Sequence, residues 1–435
     1  MLQSGPMQAT VRHASRLRGS ITPPGDKSIS HRAVIFNAIA DGEARIENYG
    51  PGADCLSTLR IMRALGADIE TESAGGSSVV VRARPLTEPA DVLNAGNSGT
   101  TMRLVSGVLA GAPFMSVLTG DASLRSRPMG RIIEPLQLMG APIDARANGT
   151  LAPLVFRGGS LHGIHYRMPV ASAQLKSCLL LAGLFADEET VIEQPALSRD
   201  HTELMFRAMG IDVAEDGLTV SVKPGRLNAV DVTVPADISS AAYWLVAAVC
   251  HPDAEVQVRG VGVNPSRTGV LDALVAMGAD IRIENRRSEG GEPVADLSAR
   301  SSTLEAIEIG GDLIPRLVDE VPVLALAACF AKGTTHIKDA AELRIKESDR
   351  LRVTNRELTR LGARIEELPD GLRITGGAKL TGAACRSSND HRMAMTLGIA
   401  GLLASGETTV TSAESASVSY PSFWDDLGSL AGAGS

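Results

Sequence analysis

The stretch Arg63–Glu70, RALGADIE, decides the fold because its pattern returns along the whole chain. Each copy joins the end of an amphipathic helix, a Leu or Met, a glycine and the start of a strand. The glycine suits the left-handed position just after a helix end, where a Cβ atom would be strained. The copies follow one another roughly every 70 residues, with glycines at Gly66, Gly140, Gly210, Gly278 and Gly362 and a shortened copy at Gly428.

A second element keeps the same spacing: an almost wholly apolar helix, a short turn and a strand of alternating polarity. Helices that are apolar on every side are buried rather than laid on a surface. The strands predicted at 44–47, 335–338 and 408–411 alternate as a sheet with one solvated face requires. The six copies begin at His31, Arg103, Ser177, Tyr243, Val323 and Thr396.

These two elements define a repeat of mixed α and β structure with one central and one outer helix. Three repeats fit before the segment 235–239 and three fit after it. We therefore predict an α/β (α+β) fold with two similar domains of three repeats each. The first domain is discontinuous, comprising 1–24 plus 238–435, and the second spans 25–237.

Composition narrows the class of protein. The net charge of −8 and the aromatic content of 3% argue against a nucleic-acid surface, which needs basic stripes and stacking rings. No run of 18 apolar residues is present, and the first twenty residues lack the apolar core of a signal peptide, so we expect neither a membrane span nor export. The cysteines form no CxxC pair, so we expect a cytoplasmic protein without disulfides or structural zinc: Cys55, Cys178, Cys250, Cys329 and Cys385.

Chemistry should lie in the segments that the repeats do not share. PPGDKSISHRA (23–33) ends a Pro/Gly loop and opens the first apolar helix, so that Lys27, Ser28 and Arg32 surround a helix N-terminus. Free N–H groups and the helix dipole favour a phosphate there. It is not a Walker A loop, because Asp26 precedes the Lys-Ser pair. A capped helix with exposed charges explains this segment alone about as well.

Three further segments of the first half offer groups of the same kind. NAGNSGTTMRL (94–104) and MPVASAQLKS (168–177) each bring small or polar residues to a helix start, and LRSRPMG (124–130) carries arginines. A tight turn, a solvated loop and a capping Ser172 are the ordinary alternatives. In LSRDHTELM (197–205), Ser198 or Asp200 would cap a helix with Glu203 in its first turn, which leaves Arg199 unexplained.

The second half adds carboxylates to such segments. LRIKESDRL (343–351) packs three cations and two carboxylates into nine residues. Asp319 and Glu320 precede an apolar helix, where an acidic cap is the ordinary explanation. SSNDHRMAM (387–395) puts Asp390, His391 and Arg392 before the last apolar helix. A metal site is disfavoured, because no second His or carboxylate lies at ligand spacing.

Together these segments resemble the ordered signatures of the 5-enolpyruvylshikimate-3-phosphate (EPSP) synthase family. They run in order from residue 23 to 395: PPGDKSISHR, GNSGTTMRL, RPMG, ASAQLKS, LSRDHTE, IPRLVDEVPVLA, LRIKESDRL and NDHRMAM. The resemblance implies two similar domains, each of three βαβαββ repeats with buried parallel helices, in an inside-out α/β barrel. It also implies an active site in the cleft between the domains.

The same resemblance implies a reaction. The family transfers the enolpyruvyl (1-carboxyvinyl) group of phosphoenolpyruvate to the 5-hydroxyl of shikimate 3-phosphate through a tetrahedral intermediate and releases phosphate. This step belongs to the shikimate pathway to chorismate and the aromatic amino acids. We accordingly expect a monomer whose partners are its two small-molecule substrates, with no metal, organic cofactor, membrane or nucleic acid.

The resemblance assigns roles residue by residue. Glu347 would serve as acid and base at carbon 3 of phosphoenolpyruvate, Asp319 would accept the 5-hydroxyl proton, and Lys27 would stabilise the departing phosphate. Shikimate 3-phosphate would be held by Lys27, Ser28, Arg32, Ser172, Ala173, Gln174, Arg199, Asp319 and Lys346. Phosphoenolpyruvate would be held by Lys27, Gly99, Arg127, Gln174, Arg350 and Arg392.

The chain departs from the family at two ligand positions. Glu342 stands where many members have Asn, and Val418 stands where many have Lys. These two positions are therefore not assigned.

Three alternatives stay open at this point. The sister transferase that acts on UDP-N-acetylglucosamine uses a loop cysteine, and 119–130 has none. A non-catalytic phosphoanion-binding protein has no need of Asp319 and Glu347, since carboxylates beside phosphate weaken its binding. An RNA-processing enzyme of related repeat architecture conflicts with the acidic charge.

Overall fold

The computed structural model describes residues 7–72 and 77–432. The chain divides into two compact units. The first unit contains the chain up to Pro24, Pro235–Arg287 and the chain from Pro293 onward. The second unit contains Gly25–Val234 and Ser288–Glu292, so its main segment ends three residues before the limit of 237 expected from the sequence.

Helices supply the interior of both units. In the second unit α1, α3 and α6 are buried along most of their length, and in the first unit so are α8, α11 and α13. The six apolar helices predicted from the sequence are thereby confirmed. In chain order the helices are α1 Lys27–Ala38, α2 Ala53–Ala64, α3 Gly99–Ala110, α4 Gly130–Leu138, α5 Arg146–Gly149, α6 Ala173–Gly183, α7 His201–Ala208, α8 Ile238–Cys250, α9 Gly269–Ala276, α10 Ile314–Leu317, α11 Val321–Phe330, α12 Arg350–Arg360, α13 His391–Leu403 and α14 Phe423–Leu430.

Over the described residues the strands form six sheets, five of four strands and one of three, with a common pairing pattern. In each sheet one strand pairs in parallel with its neighbour, and that neighbour pairs antiparallel with the strand on its other side. A parallel pair needs a long crossover such as a helix. Three sheets have the order Val232–Thr233, Glu43–Glu47, Ser78–Arg82, Asp68–Thr71; Leu93–Asn94, Ser116–Thr119, Leu151–Phe156, Ile143–Ala145; and His165–Arg167, Thr190–Glu193, Thr219–Val222, Val213–Asp216. The others have the order Asp280–Glu289, Glu292–Arg300, Ala254–Gly262, Leu17–Ile21; Glu308–Ile309, Thr334–Ile337, Gly371–Thr375, Arg364–Leu368; and Gln8–Arg12, Glu407–Thr411, Ala384–Arg386.

The helix-end glycines test the predicted repeat directly. The glycine after α2, α4, α7, α9 and α12 has φ of 100°, 94°, 88°, 91° and 102°, respectively. The prediction for Gly428 is wrong, because this residue lies inside α14 and the positive φ of 70° falls at Gly432. The reason is packing: Leu427 and Leu430 are both buried, so the helix continues for one more turn to bring Leu430 into the core.

Each unit has its own apolar core. Phe36 of α1 packs against Phe206 of α7 in the second unit, with ring centroids 4.9 Å apart. Trp244 of α8 stacks on Phe423 of α14 in the first unit at 5.2 Å. Cys178, Cys250, Cys329 and Cys385 are free thiols. No helix in the described ranges has both the length and the apolar character needed to cross a bilayer.

Candidate active site

The first turns of the second unit's central helices are capped by side chains. Asp26, Ser98 and Ser172 each accept a hydrogen bond from a backbone N–H of the following turn of α1, α3 and α6, at 3.0, 3.2 and 3.4 Å. The predicted capping by Ser172 is confirmed, and Ala173 is the first residue of α6. A cap satisfies one of the N–H groups at a helix start, and the positive end of the dipole remains to attract an anion.

Lys27 begins α1 and is held by a carboxylate that the sequence did not single out. Its Nζ lies 3.1 Å from Oδ2 of Asp54, which stands in the first turn of α2. The backbone oxygen of Asp54 accepts a hydrogen bond of 3.4 Å from Thr101 Oγ1 in the first turn of α3. The starts of three helices are therefore adjacent, with the Lys27 ammonium among them.

Gly99, Arg127 and Gln174 come together through Arg103. A Cβ atom on Gly99 would lie 3.0 Å from NH1 of Arg103 and 3.5 Å from NH1 of Arg127. Arg103 NH1 donates to Gln174 Oε1 at 2.7 Å, and Arg127 NH2 donates to Asn97 Oδ1 at 2.7 Å. Two guanidinium groups thus lie against the glycine at the start of α3.

Arg32 is buried and joins α1 to α6 and α7. Its guanidinium donates to Ser28 O, Ser177 Oγ and Thr202 Oγ1 at 2.8, 2.7 and 2.8 Å. Burial lowers the pKa of Arg32 to about 10, while the charges of nearby carboxylates raise it and that of Arg199 lowers it. At neutral pH the group therefore stays a cation, close enough to Arg199 for their charges to interact.

The structure corrects the reading of LSRDHTELM. Helix α7 starts at His201, but Asp200 makes no side-chain cap and Ser198 Oγ donates to Gln194 Oε1 at 2.5 Å instead. Glu203 is buried and pairs with Lys176 at 2.5 Å, so it forms no capping box. A partner on another helix outcompetes the local cap, because a buried carboxylate needs a cation.

Arg350 is the centre of the first unit's charged cluster. This side chain is 2% exposed, and its Nε lies 2.9 Å from Asp390 Oδ2. Its other two nitrogens reach Glu347 Oε2 at 2.5 Å and Asp319 Oδ1 at 3.3 Å. These carboxylates raise the pKa of Arg350 despite its burial, so the guanidinium is permanently charged.

Two more predicted cations complete this cluster. Lys346 Nζ lies 3.7 Å from Asp319 Oδ1. Arg392 in the first turn of α13 is hydrogen-bonded to the phenol of Tyr243. Burial opposes the charge of Arg392, but Tyr243, Asp319 and other acidic groups raise its pKa overall. Its buried Nε meets no acceptor among the described residues, so this N–H group is available to hydrogen-bond an anion.

Glu320 does not act as the predicted acidic cap. It precedes α11 but makes no side-chain cap bond, and its buried carboxylate accepts from Ser239 Oγ of α8. Arg267 NH2 lies 3.5 Å from the same carboxylate oxygen, Glu320 Oε1. Asp319 and Glu320, adjacent in the chain, therefore belong to two different ion-pair groups.

The predicted site residues fall into two clusters, one in each unit. The second unit holds Lys27, Ser28, Arg32, Gly99, Arg127, Ser172, Ala173, Gln174 and Arg199. The first unit holds Asp319, Lys346, Glu347, Arg350 and Arg392. Sequence reasoning passed over Asp54 as a site residue; the available signal was a carboxylate in the first turn of a helix.

The two clusters can do different chemistry. The second unit offers cations and helix N-termini, which bind phosphate and carboxylate groups. The first unit offers carboxylates held by cations, which can accept and return protons. Within 7–72 and 77–432 no group of three His, Cys, Asp or Glu side chains has the arrangement of a metal site.

Comparisons with a family model and with curated proteins identify the same protein family. The family model for EPSP synthase (3-phosphoshikimate 1-carboxyvinyltransferase) matches residues 11–427. Proteins named 3-phosphoshikimate 1-carboxyvinyltransferase from Gloeobacter violaceus and Herpetosiphon aurantiacus are 57% and 54% identical to the chain. Each match covers 96% of the chain and 98% of the relative.

Solved structures agree with the sequence comparison. EPSP synthase from Acinetobacter baumannii has a TM-score of 0.87 and 42% identity, over 98% of both chains. The enolpyruvyl transferase NikO from Streptomyces tendae has a TM-score of 0.80 over 98% of this chain, and at 21% identity it shows a common fold only. The chain belongs to the EPSP synthase (3-phosphoshikimate 1-carboxyvinyltransferase) family.

Proposed function

We propose that the protein transfers the carboxyvinyl group of phosphoenolpyruvate to the 5-hydroxyl of shikimate 3-phosphate and releases phosphate. The observation that carries this proposal is the arrangement around Arg350, whose guanidinium contacts Asp319 and Glu347 with Lys346 nearby. Acids placed among substrate-binding cations are what an addition–elimination on an anionic enol needs.

The cations of both units would bind the same two substrates. Lys27, Arg127 and Gly99 in the second unit and Arg350 and Arg392 in the first would hold the phosphate and carboxylate of phosphoenolpyruvate. The starts of α1 and α6, with Gln174, Arg199, Asp319 and Lys346, would hold shikimate 3-phosphate. The buried Arg392 Nε, which meets no acceptor among the described residues, and the two guanidinium groups beside Gly99 support this assignment.

The addition step joins the two substrates. The step begins with Glu347 protonated and Asp319 ionised: the 5-hydroxyl oxygen attacks carbon 2 of phosphoenolpyruvate as Asp319 accepts the hydroxyl proton, and Glu347 gives its proton to carbon 3. The product is a tetrahedral intermediate that still carries the phosphate. Arg350, in contact with both carboxylates, is fixed where it stabilises their anionic forms and the substrate charge.

The elimination step returns Glu347 to its starting state. Glu347 removes a proton from carbon 3, the carbon–oxygen bond to phosphate breaks, and the electron pair leaves with the phosphate. Lys27 stabilises the leaving phosphate, which takes up the proton that Asp319 accepted in the addition. No net proton remains on the protein, so one Glu347 serves as acid and then as base.

The proposal places the protein in the shikimate pathway, which leads to the aromatic amino acids. The free thiols of Cys178, Cys250, Cys329 and Cys385 suit a reducing cytoplasm, and we propose a cytoplasmic monomer. The relatives that match nearly the whole chain are named for 3-phosphoshikimate, which favours this acceptor over UDP-N-acetylglucosamine.

The proposed reaction is tested by mixing the protein with both substrates in a chelator and measuring phosphate release. We expect release that depends on phosphoenolpyruvate and on shikimate 3-phosphate together, and none when UDP-N-acetylglucosamine replaces the acceptor. A folded protein that releases no more phosphate than a protein-free blank would contradict the proposal.

A further inference from the structure

Lys176 and Glu203 form a fully buried ion pair that has no role in the reaction described above. Lys176 lies on α6 and Glu203 on α7, each side chain is 1% exposed, and the Nζ–Oε1 distance is 2.5 Å. Both residues belong to the second unit. The pair therefore needs an explanation of its own.

Stability alone is a poor explanation for this pair. The desolvation of two charges offsets much of their attraction, so a well-packed apolar pair is often as stable. Moreover, the second oxygen of Glu203, Oε2, is buried and meets no donor in the described parts of the chain. A carboxylate introduced only to stabilise the core would be better satisfied than this one.

Lys176 makes one further contact, which points to a positioning role. Its Nζ donates to the backbone oxygen of Ser198 at 3.3 Å. Ser198 is also held by Gln194, whose Oε1 accepts from the Ser198 backbone N–H at 3.2 Å and from its Oγ at 2.5 Å. The segment 195–200 has no regular secondary structure, so these side-chain bonds fix its path.

The residue fixed by these bonds is Arg199. It follows Ser198 directly in the chain and lies near enough to Arg32 for its charge to affect that guanidinium. Arg32 in turn donates to Ser28 O and Ser177 Oγ at the starts of α1 and α6. The Lys176–Glu203 pair thus anchors the segment that presents Arg199 to the anion-binding end of these helices.

We infer that Lys176 and Glu203 are positioning residues that hold Arg199 for shikimate 3-phosphate, and so set the affinity for the acceptor but not the rate of the chemical steps. This inference rests on the proposed function. Glu203 neutralises the buried ammonium, and Lys176 transmits the position through the Ser198 carbonyl. The donor phosphoenolpyruvate is assigned to other residues, so its binding should be unaffected.

The test is the double variant Lys176→Met/Glu203→Leu, which removes both charges together. Removal of Lys176 alone would leave the buried Glu203 carboxylate without its cation and could prevent folding. In the double variant the apolar Met and Leu side chains fill the space of the ion pair. Steady-state kinetics should show the KM for shikimate 3-phosphate raised by about tenfold or more. We expect kcat and the KM for phosphoenolpyruvate to stay within about threefold of the wild type.

Two controls separate positioning from a merely structural role. Leu180→Ala removes a buried side chain one turn further along α6 and should lower Tm without raising the KM for shikimate 3-phosphate. In an Arg199→Ala background the Lys176→Met/Glu203→Leu change should produce no further rise in this KM, because the pair acts through Arg199.

Three results would overturn the inference: an unchanged KM for shikimate 3-phosphate in the double variant, equal losses for both substrates, or a full additional loss in the Arg199→Ala background. Failure of the proposed function would appear differently, as absence of phosphate release from the wild-type protein. The wild-type assay thus separates the two outcomes.

Discussion

The two units build the same scaffold and place opposite chemistry on it. Both have three buried central helices, and in both the polar groups of the predicted site lie at or near helix starts. In the second unit these groups are chiefly lysine, arginine, hydroxyl and amide side chains, with Asp54 and Glu203 each tied to a lysine. In the first unit Arg350 lies among three carboxylates, with Lys346 and Arg392 beside them.

The difference shows how a repeated fold acquires a function. The periodic apolar residues specify helices and sheets in both units. The polar residues at the helix starts are not part of the apolar cores, so these side chains are free to differ. One unit thereby becomes suited to hold anions and the other to move protons.

The largest expected effect comes from removing the central arginine of the first unit. Arg350→Met leaves Asp319, Glu347 and Asp390 without their shared cation and should lower the free energy of unfolding by about 3–5 kcal/mol. The matched change in the second unit, Arg32→Met, breaks hydrogen bonds to the neutral Ser28 O, Ser177 Oγ and Thr202 Oγ1 and should cost less, about 2 kcal/mol. Urea denaturation of both variants measures this contrast.

Equal losses of unfolding free energy in the two variants would contradict the difference between the units, since they would mean that the carboxylates around Arg350 are not charged. Urea midpoints recorded at the same pH and salt concentration are required, because screening acts differently on buried and exposed groups.

The next largest effect concerns proton transfer. Glu347→Gln keeps a hydrogen-bond acceptor for Arg350 but removes the titrating group, so kcat should fall by about two or more orders of magnitude while substrate affinity is retained. Glu366→Gln, an exposed carboxylate paired with Arg373, is the matched control and should leave kcat unchanged. Wild-type turnover in Glu347→Gln would assign this residue a purely structural role.

A smaller effect is expected at the anion-binding side of the second unit. The Cβ atom in Gly99→Ala would lie 3.0 Å from Arg103 NH1, so the arginine must shift by a few tenths of an ångström. The KM for phosphoenolpyruvate should rise by roughly threefold to tenfold, with Tm within about 2 °C of the wild type. An unaltered KM would show that phosphoenolpyruvate does not approach this turn.

The last effect, on stability alone, tests where the repeat of the first unit departs from that of the second. Gly210→Ala places a side chain at a φ of 88° and 2.6 Å from Asn228 Nδ2, and should lower the free energy of unfolding by about 1–2 kcal/mol. Gly428→Ala lies within α14 and should raise it by up to about 1 kcal/mol. Thermal unfolding should show a lower Tm for Gly210→Ala and a higher Tm for Gly428→Ala than for the wild type. Destabilisation by Gly428→Ala would contradict the helical position of this residue.

Much of the scaffold could be predicted because its signals are local. The apolar runs beginning at His31 and Thr396 and the glycine after α2 each specify their own neighbourhood, and the structure has them as expected. Gly428 was misplaced because the end of α14 is set by burial of Leu430 in the tertiary core. A local pattern carries no information on that contact.

The site was predictable as a set of helix starts but not as a set of partners. Lys27, Gly99 and Ser172 stand at the starts of helices, as their loops indicated. The partners Asp54 of Lys27, Lys176 of Glu203 and Ser239 of Glu320 are distant in sequence. Local capping rules therefore gave wrong roles to Glu203 and Glu320, since burial replaces a local bond with a cation or hydroxyl from another helix.

The central claim is that the second unit binds anions and the first unit transfers protons. It is tested most directly by deuterium exchange into carbon 3 of phosphoenolpyruvate, with the protein and shikimate 3-phosphate in D2O. The wild type should exchange this position, and Arg127→Lys should do so at saturating phosphoenolpyruvate, because its defect is in binding. Glu347→Gln should bind both substrates and exchange at least about a hundredfold more slowly. Exchange by Glu347→Gln at the wild-type rate would contradict the account.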